Sequence, residues 1–297
     1  MKQIKEFYES KYKVLLLIPF LLLFFSLLQI GIQYSQTGDF VNKGVSLKGG
    51  STITIATSMG EAEISQLEEA LLVDFANADL FVRSLSSAGQ TTAVSIESSL
   101  QEGQELDSLI AKTSELTGFS SEQFSVEITG SSLGESFFIQ TMMALLVAFL
   151  LMGIVVFIYF RSPIPSLAVI LAAGSDIICT VAIFNLTGEK LSTAGIAALL
   201  MLIGYSVDTD ILVTTKLLKK NSKSIMQRVY EAMKTGLTMT GTTLIVISIT
   251  VFLVKSDIVK QIMLILFIGL VVDLLMTWIQ NVGILRLYLE SKKKGSK

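Results

Sequence analysis

Six apolar runs, each long enough to cross a bilayer, dictate what this chain can become. About 20 mostly apolar residues cover roughly 30 Å of hydrocarbon. Val14 to Ile32, Phe137 to Phe160, Ile164 to Phe184, Leu191 to Val213, Leu237 to Val254 and Val259 to Leu285 all reach about that length. Composition agrees: 51% of the residues are hydrophobic and 16% charged, against about 25% charged in soluble domains. The first run is too long for the apolar core of a cleavable signal and lacks a small-residue cleavage site, so it reads as a retained span.

The same composition removes several functions. With no histidine and the single Cys179, inside an apolar run, the chain makes no intramolecular disulfide, no His/Cys metal site and no histidine-based acid–base pair. It carries no GxxxxGK[ST] phosphate-binding loop. No catalytic residue, metal, cofactor or nucleic-acid partner is expected.

Basic residues set the expected orientation. Lys2, Lys5, Lys11 and Lys13 precede the first run; Lys216, Lys219, Lys220, Lys223, Arg228 and Lys234 follow the fourth; the tail ends KKKGSK. With six spans all three groups share one side, the cytoplasmic one by the positive-inside rule. Residues 34–135 then face outward, with 15 Asp+Glu against 4 Lys+Arg, a solvated acidic surface. The expected units are residues 1–33 (N-terminus and first span), 34–135 (outer domain), 136–286 (spans two to six) and 287–297 (basic cytoplasmic tail). SIMQRVYEAMKTG, between spans four and five, reads as a basic amphipathic segment suited to lying on the inner membrane surface. NLT at Asn185 to Thr187 reads as a turn between spans three and four.

Within the outer segment the period of apolar residues alternates between two and 3.6. STITIAT reads as a strand, GEAEISQLEEALLVDF as a helix, DLFVRSL and TTAVSIES as strands around the turn SSAGQ, ELDSLIAKTSELTG as a helix ended by Gly118, and EQFSVEI as a last strand. The order β-α-β-β-α-β is the ferredoxin-like pattern. Such a module can take a peptide on an exposed sheet edge or serve as a rigid spacer.

Four acids lie at membrane depth: Asp176, Asp208, Asp210 and Asp273. An acid at the bilayer centre costs about 2.5–3.5 kcal/mol and is accommodated by facing the bundle interior. A carboxyl that can sit protonated and neutral when buried until a conformational change hydrates it meets the physical requirement for a proton carrier. On a helix Asp208 and Asp210 point about 200° apart, so one partner helix cannot take both. Tyr205 lies near Asp208, and Ser206 near Asp210. Asp208 is expected to be the deeper acid, with Asp210 nearer the interface and the lysines of KLLKK. Thr238 and Thr242, in TGLTMTGTT, donate to the aspartates or bond back to their own helix, the commoner outcome. AAGSD and STAGIAA supply small residues for close helix packing.

Three stretches resemble the SecF members of the SecD/SecF protein-export family, within the resistance-nodulation-division (RND) superfamily: GVSLKGGSTITI, LSTAGIAALLMLIGYSVDTDILVTTKLLKK and GLTMTGTTL. The wording YSVDTDIL is closer to the archaeal branch than to the bacterial one. Where bacterial members read YS[LIV]ND[ST], strict register puts Asp208 at the Asn, Thr209 at the acid and Asp210 at the hydroxyl residue. Thr215 and Lys216 stand where those members often have DR, and Lys234 is nearest to an arginine found near the start of their fifth span. The resemblance implies an RND-like half of six transmembrane helices with an extracytoplasmic α+β ferredoxin-like domain. It also implies Gly44, Gly49 and Gly50 as the family's glycine motif, and an H⁺ or Na⁺ pathway through Asp208, Asp210, Asp176 and Asp273 with Tyr205, Ser206, Lys234, Thr238 and Thr242 as polar partners. The implied partners are SecD, a SecY-type translocon and the translocating polypeptide, in the cell membrane. Two other readings stay open: an RND-type proton-coupled exporter of small molecules or lipids, and a non-transporting anchor or sensor whose acids are structural.

Overall fold

A computed structural model describes residues 8–87, 90–219, 223–254 and 256–294. Lys2, Lys5, Lys220, the last residues of the KKKGSK tail and the Ala88–Gly89 tip of the expected SSAGQ turn lie outside them. Six helices long and apolar enough to cross a membrane are present: α1 Tyr12–Thr37, then α5 Ser131–Phe160, α6 Pro163–Leu186, α7 Thr193–Leu218, α8 Ile225–Leu253 and a sixth span over Ile258–Lys293. The sixth is built from α9 Asp257–Leu275, a π-helical segment Met276–Asn281 and α10 Val282–Lys294. Local chemistry sets the ends. Gly38 closes α1 at φ 76°, Pro163 opens α6 where its missing N–H costs nothing, and Ser192 and Ser224 cap α7 and α8 with their hydroxyls. SIMQRVYEAMKTG is not a separate surface helix. Nothing breaks the helix after the Ser224 cap, so the segment forms the first turns of the fifth span.

The spans divide into an inner and an outer set. α6, α7 and the sixth span are half or more buried, whereas α1, α5 and α8 expose rows of large apolar side chains such as Phe20, Phe24, Val155 and Ile245. That exposed surface is what lipid tails solvate.

Between α1 and α5 stand a single turn, α2 (Val45–Lys48), and the α+β unit: β1 Gly50–Ile55, α3 Glu61–Asp74, β2 Phe81–Ser87, β3 Gln90–Ser98, α4 Gln104–Thr117 and β4 Phe124–Thr129. The sheet order is β2-β3-β1-β4, all antiparallel, with Ile53 opposite Ile96 on one side and Val126 on the other. Ile53, Ile55, Val94 and Ile96 close on Leu67 and Leu71 of α3 and Leu109 of α4, so one sheet face carries both helices, as the period-two pattern requires.

The glycine motif welds this unit to the bundle. Gly49 (φ 87°) and Gly50 (φ 144°) occupy backbone space closed to other residues: a Cβ on Gly50 would come 2.1 Å from the Ser98 carbonyl, and one on Gly49 2.4 Å from Ser131 Cα. The Gly44 N–H donates to the Leu191 carbonyl (2.9 Å) and the Leu191 N–H to that of Asn42 (2.6 Å). The buried Asn185 amide donates to the Phe40 carbonyl (2.9 Å). Across the same junction Asp79 accepts from Lys190 (2.8 Å) and Lys48 (3.4 Å).

Partial burial pushes the Asp79 carboxyl up, but the adjacent Lys190 and Lys48 outweigh it and hold it below its ordinary 3.8. A carboxyl lowered in the folded state stabilises above its unfolded value and loses that contribution as pH falls through the folded one. Hydrogen exchange of β2, corrected for intrinsic rates, is therefore expected to stay level from neutral pH down to 3.8 and to rise only below it. In Asp79→Asn the β2 amides exchange faster at neutral pH.

Candidate functional site

The acids meet in the inner set of spans. Asp176 projects from α6, Ser206, Asp210 and Thr214 lie along one face of α7, and Asp273, Thr277, Gln280 and Asn281 come from the sixth span; all are fully buried. Residues four apart share a helix face, which lines up Ser206–Asp210–Thr214 and Asp273–Thr277–Asn281. The last three straddle the π-helical segment, a backbone form that gathers at functional sites. Gly236 of α8 lets the fifth span close on this segment, since a Cβ there would lie 2.5 Å from the Trp278 ring.

The bonds form one network. Asn281 Nδ2 donates to Asp210 Oδ1 (2.7 Å), and Ser206 Oγ donates to Asp176 Oδ2 (2.5 Å). The Asp176 and Asp273 carboxyls are near enough to influence each other electrostatically. Thr277 Oγ1 sits 2.9 Å from Asp210 Oδ1 and 2.9 Å from Asp273 Oδ1. A hydroxyl has one hydrogen, so it donates to only one of these carboxylates; Asp210 Oδ1 keeps the Asn281 amide in either case, whereas Asp273 Oδ1, when the hydroxyl serves Asp210, bonds to it only by carrying a proton and donating. Asp176 Oδ1, Asp210 Oδ2, Asp273 Oδ2, Gln280 Oε1 and Asn281 Oδ1 accept no hydrogen bond. Among the described residues the network thus has more buried acceptors than donors, an imbalance of the kind that a proton, a small cation or a water can relieve. No lysine or arginine pairs with the three acids among the described residues, and none of these residues forms a metal-holding group of three His, Cys, Asp or Glu.

Several expectations are corrected here. Asp208, expected deeper than Asp210, is exposed, and Asp210 is fully buried. The two do point apart, but α7 turns its Leu202–Ser206–Asp210–Val213 face to α6 and the sixth span, leaving Asp208 on the opposite face with Gly204 and the 44%-exposed Tyr205. Asp210 meets Asn281 and Thr277 in place of the lysines of KLLKK. Ser206 serves Asp176, not Asp210. Tyr205, Lys234, Thr238 and Thr242 lie on the exposed surface away from the network; the two threonine hydroxyls bond back to the Lys234 and Met239 carbonyls (2.7 and 2.8 Å). Thr277, Asn281 and Thr214 were missed, although polar residues at every fourth position of an apolar run were the available signal.

These features define a multi-pass membrane protein with a ferredoxin-like domain between its first two spans and a buried acidic network shared by three others. Residues 109–291 match the family profile described as protein export membrane protein SecD/SecF, C-terminal. SecF of Methanocaldococcus jannaschii is 39% identical over 283 residues, covering 94% of this chain and 96% of that protein. SecF of Pyrococcus furiosus is 33% identical over 295 residues, covering 99% and 96%. The fold superposes on the crystal structure of SecDF, a translocon-associated membrane protein from Thermus thermophilus, with a TM-score of 0.72 at 18% identity; the match covers 96% of this chain and 38% of that one. The chain belongs to the SecF family of protein-export membrane proteins.

Thr277→Val keeps the shape and removes the shared hydroxyl, stranding a buried carboxyl oxygen. Denaturant unfolding in lipid should show a loss of about 1–3 kcal/mol, with Thr277→Ser close to the parent.

Proposed function

We propose that this chain is the SecF subunit of a SecD/SecF complex that couples an ion gradient, with H⁺ as the favoured ion, to outward movement of polypeptide leaving a SecY-type channel. The observation that carries the reading is the Thr277 hydroxyl shared by Asp210 and Asp273. A proton arriving at Asp273 is handed to the Thr277 oxygen as that hydroxyl gives its own hydrogen to Asp210, on a different span; rotation of the hydroxyl then resets the relay, and Asp176 completes the chain on a third span. Each transfer changes which helices are bonded to each other. Helices held by alternative bonds have two arrangements, and rocking between them is how repeated-half transporters move.

The exposed side supports a partner half. Tyr205 and Asp208 on α7 and Thr238 and Thr242 on α8 are exposed polar residues on helices otherwise faced with apolar ones. An acid at membrane depth is rarely left facing lipid, so SecD is proposed to cover it. In this reading both termini are cytoplasmic and the ferredoxin-like domain is outside, where it moves with the emerging polypeptide.

Asp210→Asn preserves size and fills one acceptor with a donor. With the amount of chain in the membrane unchanged, it is expected to cut the gradient-dependent part of secretion about fivefold or more, the usual range of coupling energies, and to leave gradient-independent export intact. Full gradient stimulation in both Asp210→Asn and Asp273→Asn would exclude the network from coupling.

A further inference from the structure

The two spans that carry Asp210 and Asp273 converge, at the end nearest the ferredoxin-like domain, on one buried amide. Gln261 lies in the second turn of α9 and is 8% exposed. Its Nε2 donates to the Lys190 carbonyl (2.7 Å), and its Oε1 accepts from both the N–H (3.0 Å) and the hydroxyl (2.5 Å) of Ser192. Ser192 is the cap of α7. Every hydrogen bond of this side chain therefore ties the sixth span to the turn that starts the fourth. Gly195 is part of the arrangement, since a Cβ there would lie 3.0 Å from Gln261 Oε1 and 2.5 Å from Leu191.

The other side of the same turn belongs to the ferredoxin-like domain and its stem. Lys190 Nζ reaches the Asp79 carboxylate (2.8 Å) and carbonyl (3.3 Å) and lies 5.7 Å from the centre of the Phe81 ring. Leu191 exchanges backbone bonds with Asn42 and Gly44. A cavity of about 130 Å³ separates Phe81 and Arg83 of β2 from Glu189, Lys260, Gln261 and Leu264, so contact beside the turn is loose while the turn itself is held on both sides. At 1.5 Å per residue, Gln261 stands about 18 Å along the helix from Asp273 and Ser192 about 27 Å from Asp210, lengths over which packed helices move as rods.

We infer that Gln261 is the positioning residue through which the acidic network moves the ferredoxin-like domain: it locks α7 and α9 to the Lys190–Ser192 turn, and Lys190 carries the displacement to Asp79. This rests on the coupling role proposed above for the network. If the sixth span shifts against the fourth, the amide keeps both attached to the turn; without it the turn follows α7 alone, and the domain no longer reads the relative position of the two acids.

The test is a distance measurement on the full chain in lipid vesicles. Cys179→Ser removes the native thiol, and spin labels are attached through Val73→Cys on α3 and Leu186→Cys at the end of α6, both highly exposed. Asp210→Asn should shift the label-to-label distance distribution. Adding Gln261→Ala should abolish that shift, and Lys190→Ala, which removes the ammonium's contacts with Asp79 and Phe81 and leaves the Gln261 bond to the residue 190 carbonyl, should do the same and serves alone if Gln261→Ala fails to reach the membrane. A shift of undiminished size in the tested variant overturns the role of Gln261 and its turn while leaving the proposed coupling in place. No shift on Asp210→Asn in the parent overturns the transmission from network to domain, and the role of Gln261 with it.

Discussion

One hydrogen for two carboxylates is the constraint around which the membrane part is arranged. Thr277 Oγ1 cannot donate to Asp210 and Asp273 together, and burial removes the water that would otherwise make up the difference. In hydrocarbon a stranded polar atom is costly; around Thr277 the deficit is spread over three spans. The small residues Ala172, Ala173 and Ser175 of α6, and Gly236 against the Trp278 ring, let the helices around the network approach closely. In the proposed mechanism the same closeness makes it responsive, because moving one proton would change which helix the shared hydroxyl holds.

The ferredoxin-like unit is joined to this bundle by close backbone contacts and by its stem, where Val41 and Leu47 enter one apolar cluster with Phe138, Phe184 and Leu191. Gly44 and Gly49 bring main chain against main chain at Leu191 and Ser131, and the charged contacts of Asp79 with Lys190 and Lys48 lie over that seam. Backbone packed this tightly leaves little slack at the turn between α6 and α7, and a cavity lies beside Phe81 and Arg83; the proposed transmission to the domain uses both.

Much of this was legible in the sequence because the signals are long or periodic. Each span is a run with no alternative but the bilayer, and the alternating residues of β1 and β3 with the 3.6-period residues of α3 determined the sheet face and its helices. Asp176, Asp210 and Asp273 could be singled out because an acid in an apolar run is conspicuous. What escaped was contact. Helix geometry separated Asp208 from Asp210, but which of the two faces inward depends on the side of α7 that meets α6 and the sixth span, a tertiary choice that a single helix does not encode. Thr277 and Asn281 went unnoticed because a lone threonine or asparagine is common in spans, although their spacing from Asp273 was readable. The SIMQRVYEAMKTG helix was placed on the membrane surface because amphipathicity alone does not say whether a helix continues.

The central claim is that the buried network holds a mobile proton shared through Thr277. Infrared difference spectroscopy of the full chain in lipid vesicles at neutral pH reads it most directly, since a protonated carboxyl has its own carbonyl stretch. The account predicts such a band at neutral pH, lost in Asp273→Asn and shifted in both Thr277→Val and Asp210→Asn. A chain with no protonated-carboxyl band, or one whose band ignores Thr277 and Asp210, would contradict it.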